Sequence, residues 1–303
     1  MKIYESLPDD LPAGSAVSIG KFDGFHRGHR LLLDEAKKSG RSVSVFTFRF
    51  PTGKTIDSYG EKRELAKALG VDVYIEVAAD ERLFSMSAHE FIHGVICDRL
   101  HAGTVIVGED FRFGENRSGD VHTLEKYKKE CGYDLIVKKK LMESGEPISS
   151  SRVRELIASG KMEDAYTLLG RCYHICGRVI SGNRIGRTMG VPTANVIPDE
   201  GKVLPPNGVY AVTVVCPGDK SYTGVADLGV KPTIDAISPG DKETVGLEVN
   251  LFDYTGDLYD KDIKVEFGTF LRKEKQFSSL DELHAQIEKD VERARKWHQS
   301  TRL

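Results

Sequence analysis

The chain has 303 residues, 40% hydrophobic and 29% charged, with a formal net charge of −3, the balance of a soluble globular protein. That length exceeds what one hydrophobic core usually organises, so two domains are expected. The charge balance gives no support to sequence-independent nucleic-acid binding, and no window approaches the ~18–20 apolar residues of a membrane span.

The first half alternates. β-Branched runs at residues 16–19, 43–48, 71–77, 104–107 and 135–137 predict strands. Helical patterns lie between them at 31–38, 62–69, 88–100 and 124–131. This rhythm predicts a parallel sheet with helices on its faces and a ligand site at the strand C-termini. Two short helices are expected at 151–159 and 162–169. The period then becomes two, with strands expected at 173–180, 209–215, 221–226, 247–252 and 263–270 and turns of Gly, Pro and Asp between them. That pattern predicts an antiparallel barrel or sandwich. Residues 279–297 close the chain as an amphipathic helix with Leu280, Leu283, Ile287 and Val291 on its apolar side.

Several patterns carry no site. Cys97, Cys131, Cys172, Cys176 and Cys216 are odd in number, scattered and without zinc-knuckle spacing, and are read as reduced thiols. His89 to His93 reads HEFIH, the zinc-hydrolase H-E-x-x-H. Its metzincin extension fails at Ile96 and Arg99, so an amphipathic helix is expected there. Gly53-Lys54-Thr55 mimics a P-loop end, but Phe48 stands where the earlier glycine belongs. Lys138-Lys139-Lys140 reads as a solvated strand end. The acidic start MKIYESLPDD has no apolar signal core, and a cytoplasmic protein is expected.

Two segments of the first half suit phosphate, and a third suits a planar ligand. Gly20-Lys21-Phe22-Asp23-Gly24-Phe25-His26-Arg27-Gly28-His29 joins a strand to a helix. Glycines there admit close backbone approach, a helix start offers unpaired N–H groups, and imidazoles can donate to phosphate oxygens. Alone, a polar cap explains the two histidines equally well. Ser149, Ser150 and Ser151 open a helix followed by Arg152 and Arg154, an anion cradle. Between them GEDFRFG places Asp110, Phe111 and Phe113 in a loop suited to a planar ligand. In the second half, Gly182, Gly186 and Arg187 suit a loop folded over phosphate, and Thr193 and Asn195 offer hard oxygens suited to Mg²⁺.

H-x-G-H after a strand, then G-x-D-F-x-F-G, I-S-S-S-x-x-R and P-T-A-N in this order resemble bacterial bifunctional riboflavin kinase/FAD synthetases. GVYA at 208–211, LEVNLFD at 247–253 and FLRKE at 270–274 extend the resemblance over the whole chain. It implies a Rossmann-like nucleotidyltransferase domain at 1–171 and an antiparallel β-barrel riboflavin kinase domain with a C-terminal helix at 172–303. The implied enzyme phosphorylates riboflavin to FMN with ATP, then adenylylates FMN to FAD with release of pyrophosphate. By that resemblance His26 and His29 stabilise the transferring adenylyl group. Gly20, Phe22, Asp23, Gly24, Gly28, Asp110, Ser149, Ser150, Ser151 and Arg154 bind ATP. In the kinase half Gly182, Gly186, Arg187, Thr193 and Asn195 bind ATP, with Thr193 and Asn195 holding Mg²⁺. Glu248 is the general base, and Phe111, Phe113 and Arg272 contact flavin. The expected partners are riboflavin, FMN and ATP, for a monomer or weak homo-oligomer.

There are departures from the family pattern. Its second strand continues T-F-x-P-H-P, whereas residues 47–52 read TFRFPT and lack that histidine. Asp227 stands where Asn is common and Asn250 where His is common; neither is expected to touch the base or the metal ligands. Two further readings stay open: a kinase with weak or lost adenylyltransferase activity, and a non-catalytic flavin or nucleotide sensor.

Overall fold

Strands with apolar residues on both sides need a sheet covered on both faces. The computed structural model, which describes residues 1–9, 11–181, 193–231 and 244–301, contains such a sheet. β1 (Lys2–Tyr4), β2 (Ser15–Ile19), β3 (Val43–Arg49), β4 (Val73–Ala78), β5 (Ala102–Gly108) and β6 (Asp134–Lys138) pair in parallel, in the order β1-β4-β3-β2-β5-β6. Neighbouring residues along each strand serve opposite cores. Ala16, Val45, Tyr74 and Ile106 pack with Leu32, Leu33 and Ala36 of α1 (Arg27–Lys38) and Ala66 of α2 (Tyr59–Ala68). Val17, Phe46, Ile75 and Val105 pack instead with Phe91, Ile92, Val95 and Ile96 of α3 (residues 88–97), and with Leu124 of α4 (Val121–Cys131).

α3 departs from the expected plain helix. It starts as Ala88–Glu90, behind a capping box from Ser87, and continues as a π-helical segment, Phe91–Cys97. Its end meets the end of α4, where Cys97 and Cys131 form a disulfide with Cα atoms 5.7 Å apart. The expectation of five reduced thiols is corrected for this pair. Their separation of 34 residues conceals that two helices finish side by side. Cys172, Cys176 and Cys216 form no disulfide among the described residues.

A short antiparallel pair, β7 (Met142–Glu143) and β8 (Glu146–Pro147), comes after β6. The chain divides into two compact units, Met1–Ser150 and Ser151–Leu303. The border expected at 171/172 lies further along, and α5 (Ser150–Ala158) and α6 (Met162–Leu169) occupy the interval. In the second unit β9 (His174–Arg178), β10 (Ala194–Val196), β11 (Gly208–Cys216), β12 (Lys220–Lys231), β13 (Thr244–Leu251) and β14 (Asp262–Arg272) form an antiparallel sheet. Its order is β10-β13-β12-β11-β14-β9, and a bridge between Ile180 and Asn195 brings the two edges together into a nearly closed barrel. Gly177 permits that approach, because a Cβ there would collide with the Val196 side chain.

α7 (Leu280–Ser300) covers the barrel through Val291, Ala294 and Trp297. The apolar side expected for this helix is therefore shifted, and Leu280 is 67% exposed. Among the described residues no helix is long and apolar enough to cross a membrane.

One buried charge ties the sheet to α2. Glu76 on β4 has no exposed surface and accepts hydrogen bonds from Arg63 Nη2 at 2.6 Å and Nε at 3.1 Å. Arg49 Nη2 at 3.3 Å and the Tyr74 hydroxyl at 3.3 Å complete its shell. Removing one partner of such a cluster strands the others. Glu76→Ala is expected to cost about 3–5 kcal/mol in denaturant unfolding followed by far-UV circular dichroism. A loss below about 1 kcal/mol would mean that the two arginines are satisfied without it.

Candidate active site

β2 is the centre of the parallel sheet. The chain leaves it toward β3 on one side and reaches β5 on the other only later, so a crevice opens between their carboxyl ends. The loop filling that crevice is tightly held. Phe22 (φ 46°) and Phe25 (φ 39°) adopt left-handed backbone conformations that side chains other than glycine seldom take. Both are fully buried, and their rings stack at 5.3 Å. The Asp23 carboxylate accepts from the Ile56 N–H at 2.7 Å, and its carbonyl accepts from the Ser150 hydroxyl at 2.8 Å. Asp23 thus fastens the loop, and its carboxylate faces protein backbone.

His26 is the N-cap of α1, with Nδ1 accepting from the His29 backbone N–H at 3.3 Å. An accepting Nδ1 carries no proton, so the neutral ring holds its proton on Nε2. Burial pushes the His26 pKa down to about 4. The His29 ring stacks on it at 3.6 Å with 15° between planes. Burial, the His26 ring and the Lys62 ammonium, in that order, hold His29 well below the ordinary histidine range. Its Nδ1 is buried without a hydrogen-bond partner. Gly28 makes the stack possible, since a Cβ at that position would lie 3.2 Å from two atoms of the His26 ring.

The pair faces a cavity of about 300 Å³. Gly20, Phe22, Gly28, Asp110, Phe111, Ser149 and Ser150 line it with the two histidines, so seven of the expected ligand-binding residues do meet in one place. Phe113 does not line it; it is 7% exposed, buried in the core against Phe91 and stacked on Phe111. Lys21, Lys138, Lys139 and Lys140 also border the cavity. Its positive rim was missed in the sequence, where the lysine triplet reads as a strand end. The fold gives the signal, because the triplet begins at the last residue of β6, at the same sheet edge. Lys138 reaches Glu35 at 3.2 Å and Lys140 reaches Asp110 at 2.9 Å.

Behind the histidines Lys62 is 5% exposed and donates to the Thr47 hydroxyl at 2.9 Å. Burial pushes its pKa down to about 8. Arg49, in the segment lacking the family histidine, is drawn to Glu76 and lies over the Tyr59 ring. Ser151 and Arg154 belong to the second unit, where Arg154 Nη2 donates to the Ser151 hydroxyl at 3.1 Å.

In the barrel, strand register assembles a second set. Asn195 on β10 sits directly opposite Glu248 on β13, and Glu248 directly opposite Asp227 on β12. Cross-strand partners share a face with Cβ atoms ~4.5–5.5 Å apart, so these three form one polar row. The expectation that Asp227 stands clear of the base is corrected by this register. Half-buried Thr193 precedes β10. Hard oxygen donors on a partly exposed face fit a small divalent cation. Arg272 is tied to buried Asp290 of α7 by Nε contacts at 2.9 and 3.1 Å and an Nη2 contact at 2.8 Å. Gly182, Gly186 and Arg187 lie outside the described residues.

This pairing of a parallel-sheet unit whose cavity suits phosphate with a barrel carrying a carboxylate–amide row defines a two-part nucleotide-handling fold. Family models agree with that division: FAD synthetase matches residues 9–152 and riboflavin kinase residues 169–298. The chain is 39% identical to the bifunctional riboflavin kinase/FMN adenylyltransferase of Escherichia coli (strain K12), covering 94% of this chain and 93% of that protein. The Haemophilus influenzae protein of the same description is 34% identical, with 95% of each covered. A crystal structure described as a macrolide-efflux protein from Streptococcus pneumoniae superposes with a TM-score of 0.86 at 28% identity, covering 98% of this chain and 100% of that one. The chain belongs to the bifunctional riboflavin kinase/FMN adenylyltransferase family.

The histidine pair sets an acid limit on stability. Below pH 6.5 the unfolded chain takes up protons that native His26 refuses down to about pH 4. Stability is therefore whole above pH 6.5, and His26 alone takes away ~1.4 kcal/mol for each unit of acidification through that window, with the His29 ring adding its own loss. Hydrogen exchange of the β2 amides should show this loss, and His26→Asn should make its slope shallower by removing the His26 share. Equal slopes in the two proteins would rule out the buried neutral ring.

Proposed function

We propose that this chain makes flavin cofactors in two steps: riboflavin and ATP give FMN and ADP, then FMN and ATP give FAD and pyrophosphate. The observation that carries the first-unit assignment is the stacked, uncharged His26–His29 pair at a lysine-rimmed cavity. A buried neutral imidazole donates a hydrogen bond without a fixed charge of its own. Its contribution grows as negative charge builds on the phosphate oxygens in the transition state. An FMN phosphate oxygen attacks the α-phosphorus of ATP, and the bond to the oxygen bridging to the β-phosphate breaks. His26 donates from Nε2 to the transferring group, and His29 donates beside it. Ser149 and Ser150, at the start of α5, receive the leaving pyrophosphate, with the lysine rim drawing the anions in. Phe111 offers an aromatic surface for the flavin or adenine ring. The roles of Ser151 and Arg154 rest on the family motif alone.

In the barrel Glu248 accepts the ribityl 5′-hydroxyl proton as that oxygen attacks the γ-phosphorus and ADP departs. Thr193 and Asn195 would hold Mg²⁺, whose contribution when bound is to neutralise phosphate charge. Arg272 supports the site by pinning α7 through Asp290, which fits an indirect role better than flavin contact. The adenylyltransferase is assigned to residues 1–171 and the kinase to 172–303.

Purified protein with riboflavin, ATP and Mg²⁺ should yield both FMN and FAD by chromatography. His29→Ala should lower FAD formation by about 10²–10³-fold while FMN accumulates. Glu248→Ala should lose FMN formation yet still convert supplied FMN to FAD. Loss of FMN formation in folded His29→Ala, or failure of folded Glu248→Ala to convert supplied FMN to FAD, would defeat the assignment of two independent sites.

A further inference from the structure

We infer that His93, Cys97 and Cys131 form a binding site for Zn²⁺ that opens when the Cys97–Cys131 disulfide is reduced. The imidazole nitrogen and both sulfurs lie within 4.8 Å of one another, with His93 Nδ1 3.9 Å from Cys131 Sγ. Tetrahedral zinc with bonds of about 2.3 Å to sulfur and about 2.0–2.1 Å to nitrogen needs N···S edges of roughly 3.6 Å. The nitrogen therefore already stands close to a ligand position. The sulfur–sulfur edge must open, to roughly 3.8 Å, for the same bond lengths. Cα atoms 5.7 Å apart allow this by side-chain rotation.

The surroundings orient the imidazole. His93 Nε2 lies 3.7 Å from Glu130 Oε1, and the Tyr127 ring meets the imidazole edge-on at 5.4 Å and 82°. Nε2 is buried without a hydrogen-bond partner, and a small shift of this carboxylate would let it accept from Nε2, the usual outer arrangement of a metal-bound histidine. It leaves Nδ1 to face the thiols. The backbone is unusual at the same place: Asp98 N–H bonds to His93 O and Leu100 N–H to Val95 O, both at 2.9 Å and both spanning five residues. Such π-helical turns occur frequently at functional sites. His93 also borders a cavity of about 860 Å³, from which water could fill a fourth ligand position. His89, the first histidine of HEFIH, leans on the His93 ring but is not among the three donors.

The chemistry balances with a small thiol as reductant. Two RSH and the protein disulfide give RSSR and two cysteine thiols; Zn²⁺ then displaces two protons as the thiolates bind. The disulfide and the metal are mutually exclusive occupants, each joining the end of α3 to the end of α4.

Full-length protein reduced with a monothiol and desalted without oxygen should bind one equivalent of Co²⁺ with intense thiolate-to-cobalt absorption. One equivalent of Zn²⁺ should abolish that absorption, and the unreduced protein should lack it. Cys131→Ser and His93→Gln, each verified as folded by circular dichroism, should weaken Co²⁺ binding by at least about 10-fold. The site is refuted if reduced wild-type protein shows no such absorption, or if both variants retain it undiminished. Equal absorption without reduction would also refute it.

Discussion

The adenylyltransferase half depends on one hydrogen bond, from the His29 backbone N–H to His26 Nδ1. It caps α1, so the helix begins where the cavity needs its N-terminus. It also fixes the tautomer, which leaves the Nε2 proton as the donor. It brings the rings of residues three apart into face contact, which two protonated imidazoles would resist. Secondary structure, protonation state and ligand geometry thus rest on the same pair of atoms. Phe22 and Phe25, held by their left-handed backbone, keep their rings against His29 and so contribute to the desolvation that depresses it.

The barrel half uses a different principle. Thr193 apart, its polar set is brought together by register, with Asn195, Glu248 and Asp227 side by side across three strands. A one-residue slip of β13 would turn Glu248 to the opposite face. Gly177, by admitting Val196, helps hold β9 and β10 close, and so the near-closure of the sheet bears on the position of Asn195.

Much of this was legible in the sequence, because apolar periodicity and motif spacing are local properties. The runs at β2, β3 and β5 and the change to period two announce both layers of the architecture. H-x-G-H and I-S-S-S place the cavity at the correct sheet edge. What was not legible is what distant segments do to one another. β1 is only three residues long and is made a strand by β4. β10 reads as a turn because Pro192-Thr193 precedes it. The lysine triplet acquires its meaning from β6 ending beside β5. Asp227 meets Glu248 only through the ladder, and Cys97 meets Cys131 only because two helices end together. Phe113 shows the converse: an aromatic residue in a glycine-rich loop reads as available to a ligand, and the fold packs it against Phe91.

The hydrogen bond from Ser150 to the Asp23 carbonyl crosses 127 residues and joins the first loop of the site to the last residue of the first unit. On a growing chain, β2, α1 and β3 emerge early and can pair at once, but the crevice lacks a wall until β5, β6 and Ser150 have followed. At about 5–20 residues per second, the two histidines spend several seconds in a half-built sheet. During that interval they are exposed imidazoles with near-ordinary proton affinity, and the apolar edge of β2 awaits β5. The neutral pair is therefore a property of the completed unit, and the interval before closure is when nascent chains are most open to mispairing with one another.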